Sequence, residues 1–577
     1  MIVRDLRSAV AAPDAKEQEP GALRRPGRGL LLLVALAVEL SAASIVVGSI
    51  AASRGSGDLR RVGIFYRLLA LDAPAAVLAI AILLAGLAAA YFVPDQPIDR
   101  VLAWISDHPI AIVAPTFALL AAGAVLGYHA YPLSADEYAP LFQAQAFAAG
   151  RLTGQFPPGW LDWLLPRPFN GAFFAASDRT GQIISTYWPG FALLLTPFVW
   201  CGAPWLLNPA IGAATLLAIW KLTGNLAPGA PTARGWALLL TVASPAFVVT
   251  SISYYSMAAH LLASTLFALL LLEPTRWRLI LAGLVGSVAL VLHNPLPHLL
   301  FALPWIAWLA SSRETRRRLP LLILAYLPLV LVLGIGWVLL RFHVQAGAAA
   351  GPAVGGLEGG LQRLAGVAAA GFTAPNLAIA LNRVVHLLKV AVWAVPGLVL
   401  LVPVGFWQLR GRAGARLLLA SAVLTVIGYL FVPFDQGHGW GSRYFHSAWL
   451  VLPVFGAAAL ASAGTGRPAW VRAFACFTLL SLSFANALRF RQVDGFIREH
   501  LAQAPLPTVS DARAVTFIDI RSGYYTLDLV KNDAFARGAQ LILVSHGREQ
   551  DAQFVREHFP ELELRRTLGK SSLWMAR

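Results

Sequence analysis

Residues 29–50 read GLLLLVALAVELSAASIVVGSI, an apolar run interrupted by one charged side chain, Glu39. At the helical rise of 1.5 Å per residue, about 20 such residues cross the hydrocarbon of a bilayer. A helix satisfies its own backbone hydrogen bonds there, whereas an open sheet leaves polar edges in lipid. Comparable runs recur as far as the neighbourhood of Ala487. Of the 577 residues, 58% are hydrophobic and 13% charged, where a soluble chain carries about 25% charged residues. The expected fold class is therefore an all-α polytopic membrane protein.

Working outward, spans are expected near 29 to 51, 73 to 93, 109 to 131, 204 to 222, 235 to 254, 258 to 273, 277 to 292, 295 to 311, 319 to 340, 386 to 408, 415 to 433, 446 to 463 and 469 to 488, about thirteen crossings. Residues 1–28 carry six basic side chains and precede a run too long for a cleaved signal, so they read as a cytoplasmic tail. Short cytoplasmic loops collect Lys and Arg. With the N-terminus inside, that rule holds five times in succession, at Lys221/Arg234, Arg276/Arg278, Arg313/Arg316–Arg318, Arg410/Arg412/Arg416 and Arg467/Arg472; Arg54, Arg60 and Arg61 break it. The net charge of +16 thus reads as topology, and no nucleic-acid partner is expected. Lysine occurs only at 16, 221, 389, 531 and 570, the arginine-rich usage of a GC-rich bacterial genome, which places the protein in a bacterial inner membrane.

The alternation puts loops 132–187, 341–385 and 434–445 outside, together with everything from 489 to 577. In that tail, 514–520 (AVTFIDI) and 540–544 (QLILV) read as short buried strands and 550–558 as a helix, a small extracytoplasmic α/β domain. The Gly/Ala-rich stretch 346–371 reads as a mobile loop. Cys201 and Cys476 are the only cysteines, too few for a disulfide framework or a thiolate metal site.

Chemistry concentrates after the third span, in Tyr131-Pro-Leu-Ser-Ala-Asp-Glu-Tyr138. An unpaired carboxylate at the lip of a span is costly. Ser134-Ala-Asp-Glu137 has the form of a capping box, and Gly150 makes a natural helix stop. That accounts for Glu137 better than for Asp136. Adjacent helical residues diverge by about 100°, so one acid is expected to do chemistry while the other orders the helix; Asp136 is the choice for chemistry. Tyr138 lies on the interfacial helix that follows. A second outside loop, Phe434-Asp-Gln-Gly-His-Gly-Trp-Gly-Ser-Arg-Tyr444, offers glycines for close backbone approach and His438, Arg443 and Tyr444 as donors to phosphate oxygens. Its plain structural reading is a turn in which Arg443 pairs with Asp435. Further outside-facing groups are Tyr254, Tyr255, His260, His293 and His298. The histidine spacing fits no metal-ligand pattern, and a divalent metal is left open.

An acidic pair after an early span, an interfacial helix ending in Gly150-Arg-Leu152, and a long outside loop closing on Tyr187-Trp-Pro-Gly190 resemble the GT-C glycosyltransferases, notably those related to protein O-mannosyltransferases and to the enzymes that attach aminoarabinose to lipid A. The resemblance spans roughly residues 109 to 460. It implies a polyprenyl-phosphate sugar donor taken from the membrane lipid, an extracytoplasmic glycan, lipid or protein acceptor, and inversion at the anomeric carbon. Asp136 takes the place of the family's first-loop general base, with Glu137 beside it. Two departures stand out: Asp136 follows the third span rather than the first, and Asn208-Pro209 stands where relatives often carry an Arg, which moves the phosphate-binding role to Arg443. Other classes remain on the table, a flippase or transporter of lipid-linked glycans and a ligase or polymerase using the same donors. A transporter usually shows mid-membrane charge and repeat symmetry; here Glu39 is the only acidic residue in the middle of the expected spans, and no repeat is apparent.

Overall fold

The computed structural model describes residues 27–55, 63–90, 92, 95–346, 366, 371–462, 468–507 and 513–576. The N-terminal tail up to residue 26 and most of the 346–371 loop expected from the sequence lie outside these residues.

The chain is a multi-pass helical membrane protein. Among the described residues, five helices are long and apolar enough to cross a bilayer: Arg28–Ser53, Ile64–Ala89, Pro204–Leu226, Arg313–Gln345 and Ala469–Leu501. Two further crossings are bent, Pro97–Asp107 with Ile110–Leu126 by 80° and Ala233–Val242 with Pro245–Ile252 by 60°. A proline sits at each break, Pro109 and Pro245, where its missing N–H cannot continue the helical ladder. The remaining apolar helices, Met257–Leu271, Leu296–Ser311, Leu398–Leu409, Ala413–Tyr429 and His446–Ala461 among them, are shorter, so length alone supports five to seven of the thirteen expected crossings.

Three further elements differ from the sequence reading. The span expected at 386 to 408 is two helices, Leu377–Val392 and Leu398–Leu409, because Pro396 stops the first and Gly397, at φ +81°, starts the second. Gly190–Trp200 is an additional helix of 11 residues, too short to register as a span, and Trp200 Nε1 donates to Ala148 O at 2.9 Å. The last long helix also continues to Leu501, past the expected tail boundary at 489.

The basic loops gather together. Residues 226–230, Gln408, Leu409, Gly411, Arg412 and Ser462 line one cleft, a Cβ on Gly414 would touch both Leu272 and Leu226, and Arg318 Nη1 donates to Pro274 O at 3.2 Å. The 132–187 loop and the C-terminal tail form a second assembly. Gly154–Gln155, Gln182–Ser185 and Phe174–Ala176 make a three-stranded antiparallel sheet, with Gln182–Ser185 in the middle. In the tail, Ala514–Ile518 pairs in parallel with Gln540–Val544 and antiparallel with Ser571–Ala576, which pairs with Leu562–Leu568. Helix Arg548–His558 covers this sheet, and Phe517, Leu543 and Phe554 share one apolar core with Phe142, Phe156 and Phe174 of the first outer loop. Burying these rings at about 25 cal/mol per Å² welds the tail to the loop that carries Asp136. Tyr525 Oη accepts Ile64 N–H at 3.2 Å, so the start of the second long helix meets the tail.

Candidate active site

Helix Ala135–Ala148 starts where the sequence places it. Ser134 is extended at φ −116° and ψ 167°, and Glu137 Oε2 accepts the Ser134 N–H at 3.2 Å, the backward half of a capping box. Gly150, at φ +71°, ends the helix, with Arg151 N–H returning to Ala146 O at 2.9 Å. Ser134 Oγ lies 2.8 Å from Tyr255 Oη. The two acids then diverge. Glu137 is fully buried and accepts from Tyr128 Oη at 2.8 Å and Tyr254 N–H at 2.9 Å through Oε1. Burial, outweighing these donors, pushes its carboxyl up to about 7.

Asp136 points instead into a cavity of about 320 Å³ lined also by Tyr187, His260, His293, Gln436, Arg443, Tyr444, His446 and Ser447. Arg443 Nη1 donates to Asp136 Oδ2 at 2.7 Å, and Tyr187 Oη donates to Oδ1. Burial alone would raise the Asp136 carboxyl, but Arg443, His293 and Tyr187 outweigh it and hold it below the usual carboxylate range. Burial likewise opposes the charge on Arg443, and Asp136 with Tyr255 overcomes it. Burial and then Asp136 push the Tyr187 phenol up, so it stays a donor.

Arg443 is seated by its own loop. Nη1 also reaches Gln436 O at 3.0 Å and His438 O at 2.7 Å, while the Arg443 N–H donates to Gln436 Oε1 at 2.9 Å. Gln436 Nε2 ties back to Gly439 O at 3.1 Å and Gly441 O at 3.0 Å. Gly437, Gly439 and Gly441 all have positive φ, and a Cβ on Gly439 would lie 2.3 Å from Arg443 Cδ, so a side chain there would displace the guanidinium stem. The Arg443 guanidinium stacks over Tyr255 with 4.5 Å from Cζ to the ring centre, and its Nε and Nη2 make no hydrogen bond among the described residues. The loop is anchored from behind by buried Arg383, which donates to Tyr429 O at 2.9 Å, Val432 O at 2.7 Å and Phe434 O at 2.8 Å.

The cavity therefore brings together Asp136, Arg443, Tyr444, His260 and His293 of the residues expected from sequence. Three others need correction. Tyr138 faces away, its Oη donating to Asn532 O at 2.7 Å inside the apolar core shared with the tail. His438 is buried behind the loop with Nε2 3.6 Å from Asp528 Oδ2; burial holds its ring down to about 3, so the contact is polar rather than ionic near neutrality. Glu137 also lies outside the cavity lining. The expected turn pairing of Arg443 with Asp435 is absent too, since Asp435 Oδ1 accepts the Gly437 N–H at 2.8 Å. Tyr187, Gln436, His446 and Ser447 were not anticipated as site residues. Tyr187 had a signal, because it opens the Tyr187-Trp-Pro-Gly190 step. Trp337 Nε1 holds its carbonyl at 2.8 Å, and its ring lies against His293 with centroids 3.9 Å apart. Burial keeps His293 down to about 4 and therefore neutral at pH 7. Among the described residues, no group of three or more His, Cys, Asp or Glu side chains is arranged to hold a metal ion.

No protein-family model matches the chain, and no curated protein matches it. Among solved structures it is similar to ArnT from Cupriavidus metallidurans, both in the apo state (11% identity, 81% of this chain and 98% of that one, TM-score 0.44) and bound to undecaprenyl phosphate (11% identity, 82% and 98%, TM-score 0.45). It is also similar to the oligosaccharyltransferase of Archaeoglobus fulgidus in complex with Zn and sulfate (14% identity, 66% and 53%, TM-score 0.35).

Proposed function

We propose that the chain is an inverting glycosyltransferase that moves a sugar from a polyprenyl-phosphate donor to a hydroxyl of an extracytoplasmic glycan, lipid or protein. The observation that carries this reading is the buried Asp136–Arg443 pair in a cavity, with Tyr187 on the second carboxylate oxygen. The pair joins the two groups that the reaction needs. Arg443 presents Nε and Nη2 to the leaving phosphate and neutralises the charge that grows there. As Arg443 turns towards phosphate, Asp136 is released to accept the acceptor's proton. The acceptor oxygen bonds to the anomeric carbon as the bond from that carbon to the phosphate oxygen breaks, and the polyprenyl phosphate departs with the electron pair. Attack opposite the leaving group inverts the centre. General-base assistance contributes roughly 10² to 10⁴ in rate, and Asp136, held below the ordinary carboxylate range, is ionised at neutral pH.

The lipid chain of the donor enters between helices from the bilayer. The N-terminus lies inside, and the cavity, the outer loops and the tail lie on the extracytoplasmic face of a bacterial inner membrane. Incubation of the purified protein with undecaprenyl-phosphate sugars and an envelope acceptor fraction, followed by mass spectrometry, is expected to show release of undecaprenyl phosphate with sugar gained by the acceptor. Failure to cleave any such donor, with the wild-type protein folded, sinks the reading.

A further inference from the structure

The cavity contains buried polar atoms that the Asp136–Arg443 chemistry leaves unused. His260 and Ser447 are 5% and 3% exposed, line the cavity, and His260 Nε2 and Ser447 Oγ make no hydrogen bond among the described residues. His446 lines it as well, and its Nε2 is met only by Thr250 Oγ1 at 3.3 Å. A buried donor or acceptor left unmade costs roughly 1–3 kcal/mol, so groups of this kind in a cavity point to a ligand that completes them. The three belong to one end of the site. Helix Met257–Leu271, which carries His260, packs against the turn His446–Ala448, while His293 lies against Tyr187, the donor to Asp136.

What these groups recognise follows from their chemistry. A neutral imidazole and a serine hydroxyl can each both donate and accept, the same capacity as a sugar hydroxyl. The walls supply aromatic faces for the C–H side of a ring: Tyr187 lies against His293, and Tyr429 is stacked on Tyr444 with centroids 4.4 Å apart. A cavity of about 320 Å³ is at the small end of ligand sites (~300–1,000 Å³), which suits one sugar ring rather than an oligosaccharide. Charge makes the choice narrower. Among the described lining residues Asp136 is the single carboxylate and Arg443 the single permanent cation, and the transfer uses both, Arg443 on the phosphate and Asp136 on the acceptor's proton. An ammonium or carboxylate on the sugar would be buried without a free partner, at a cost that an uncharged sugar avoids.

We propose that His260, His446 and Ser447 form the sugar subsite of the transfer site, and that the sugar it takes is uncharged and hydroxyl-bearing, unlike the aminoarabinose handled by ArnT; this rests on the glycosyltransferase reading above. The test measures binding of three lipids to the full-length protein in nanodiscs: undecaprenyl phosphate, its glucosyl or mannosyl derivative, and its 4-amino-4-deoxyarabinosyl derivative. The neutral-sugar lipid is expected to bind the wild type about tenfold tighter than the amino-sugar lipid, the scale of one lost charge-compensating contact. His260→Leu and Ser447→Ala should each weaken the neutral-sugar lipid by about three- to tenfold, the scale of one hydrogen bond, and leave bare undecaprenyl phosphate within about twofold. Equal or tighter binding of the amino-sugar lipid overturns the subsite, and that comparison needs no variant. Equal losses for the bare and glycosylated lipids overturn it as well. A folded wild type that binds none of the three lipids defeats the glycosyltransferase reading itself, and the subsite with it.

Discussion

Arg443 Nη1 lies 2.7 Å from Asp136 Oδ2, a contact made across 307 positions of sequence and between two different loops. The separation of Asp136 from its neighbour Glu137 follows from it. Asp136 faces the cavity and a cation, whereas Glu137 is fully enclosed by three donors. Asp136→Asn should keep folding and donor binding yet lose turnover by roughly 10² or more, the scale of a lost general base. Glu137→Gln should lose stability rather than turnover, since a carboxamide puts an N–H against one of the donors, at about 1–3 kcal/mol. Turnover per folded molecule and thermal midpoint, measured for both, decide it: equal loss of turnover in the two variants would end the division of labour.

Arg443→Lys should be impaired alongside Arg443→Ala. A lysine ammonium can meet Asp136, but it cannot also span Gln436 O and His438 O while keeping a flat pair of donors for phosphate. A charged hydrogen bond is worth roughly 1.5–3 kcal/mol, so kcat/KM of Arg443→Lys is expected to fall about 10- to 100-fold. Full activity in the lysine variant would return the loop to a purely structural role.

Each half of this site was legible as a motif, because Ser134-Ala-Asp-Glu137 and the glycine-rich 434–444 loop carry local chemistry. Their pairing was not, since a contact between distant loops leaves no periodic trace. For the same reason Arg443 was matched with Asp435, its neighbour in sequence. The strands at 514–518 and 540–544 and the helix at 548–558 were visible from burial pattern. That this sheet shares a core with Phe142, Phe156 and Phe174 was hidden, and so was the inward turn of Tyr138, which a helical wheel places on an interfacial face. The 386 to 408 run looked continuous because Ala394-Val-Pro-Gly397 is apolar. Hydropathy cannot see that Pro396 lacks a donor.

The pH dependence of stability should report Glu137. Its carboxyl rises from 4.5 to about 7 on folding, so the folded state holds the proton that the unfolded chain releases. That contribution is complete below the unfolded value and is lost as pH rises through about 7. Between those limits the stability advantage of wild type over Glu137→Gln should shrink as pH increases. An advantage that grows with pH would mean that the three donors hold the group ionised.

The proposed topology puts the basic loops in the cytoplasm and the cavity outside. Reporter fusions after residues 230, 316 and 412 are expected to be active only in the cytoplasm, and fusions within 150–180 or after Ala576 only outside. A cytoplasmic signal from the C-terminal fusion would reverse the assignment of the cavity to the outer face.

A buried cluster at the base of the N-terminal hairpin makes the last contrast. Asp72 Oδ2 accepts from Lys389 Nζ at 2.7 Å, and Oδ1 accepts from Trp393 Nε1 at 2.8 Å and lies 2.8 Å from Arg489 Nη2. The three charged groups come from helices Asp72–Ala89, Leu377–Val392 and Asn486–Leu501, and each is at most 2% exposed. One carboxylate therefore serves two cations. Removing the shared anion strands both, whereas removing one cation leaves a one-to-one pair. Asp72→Asn should then cost about 3–5 kcal/mol, the scale of an uncompensated buried charge, while Lys389→Met, which fills the same space without the surplus charge, should cost far less or stabilise. Unfolding midpoints in detergent test this directly. If Lys389→Met proves as damaging as Asp72→Asn, the lysine is not surplus, and a further anion must be compensating it. If the two substitutions combined are milder than Asp72→Asn alone, the surplus charge is the cause of the damage, because the double variant removes a cation along with the anion.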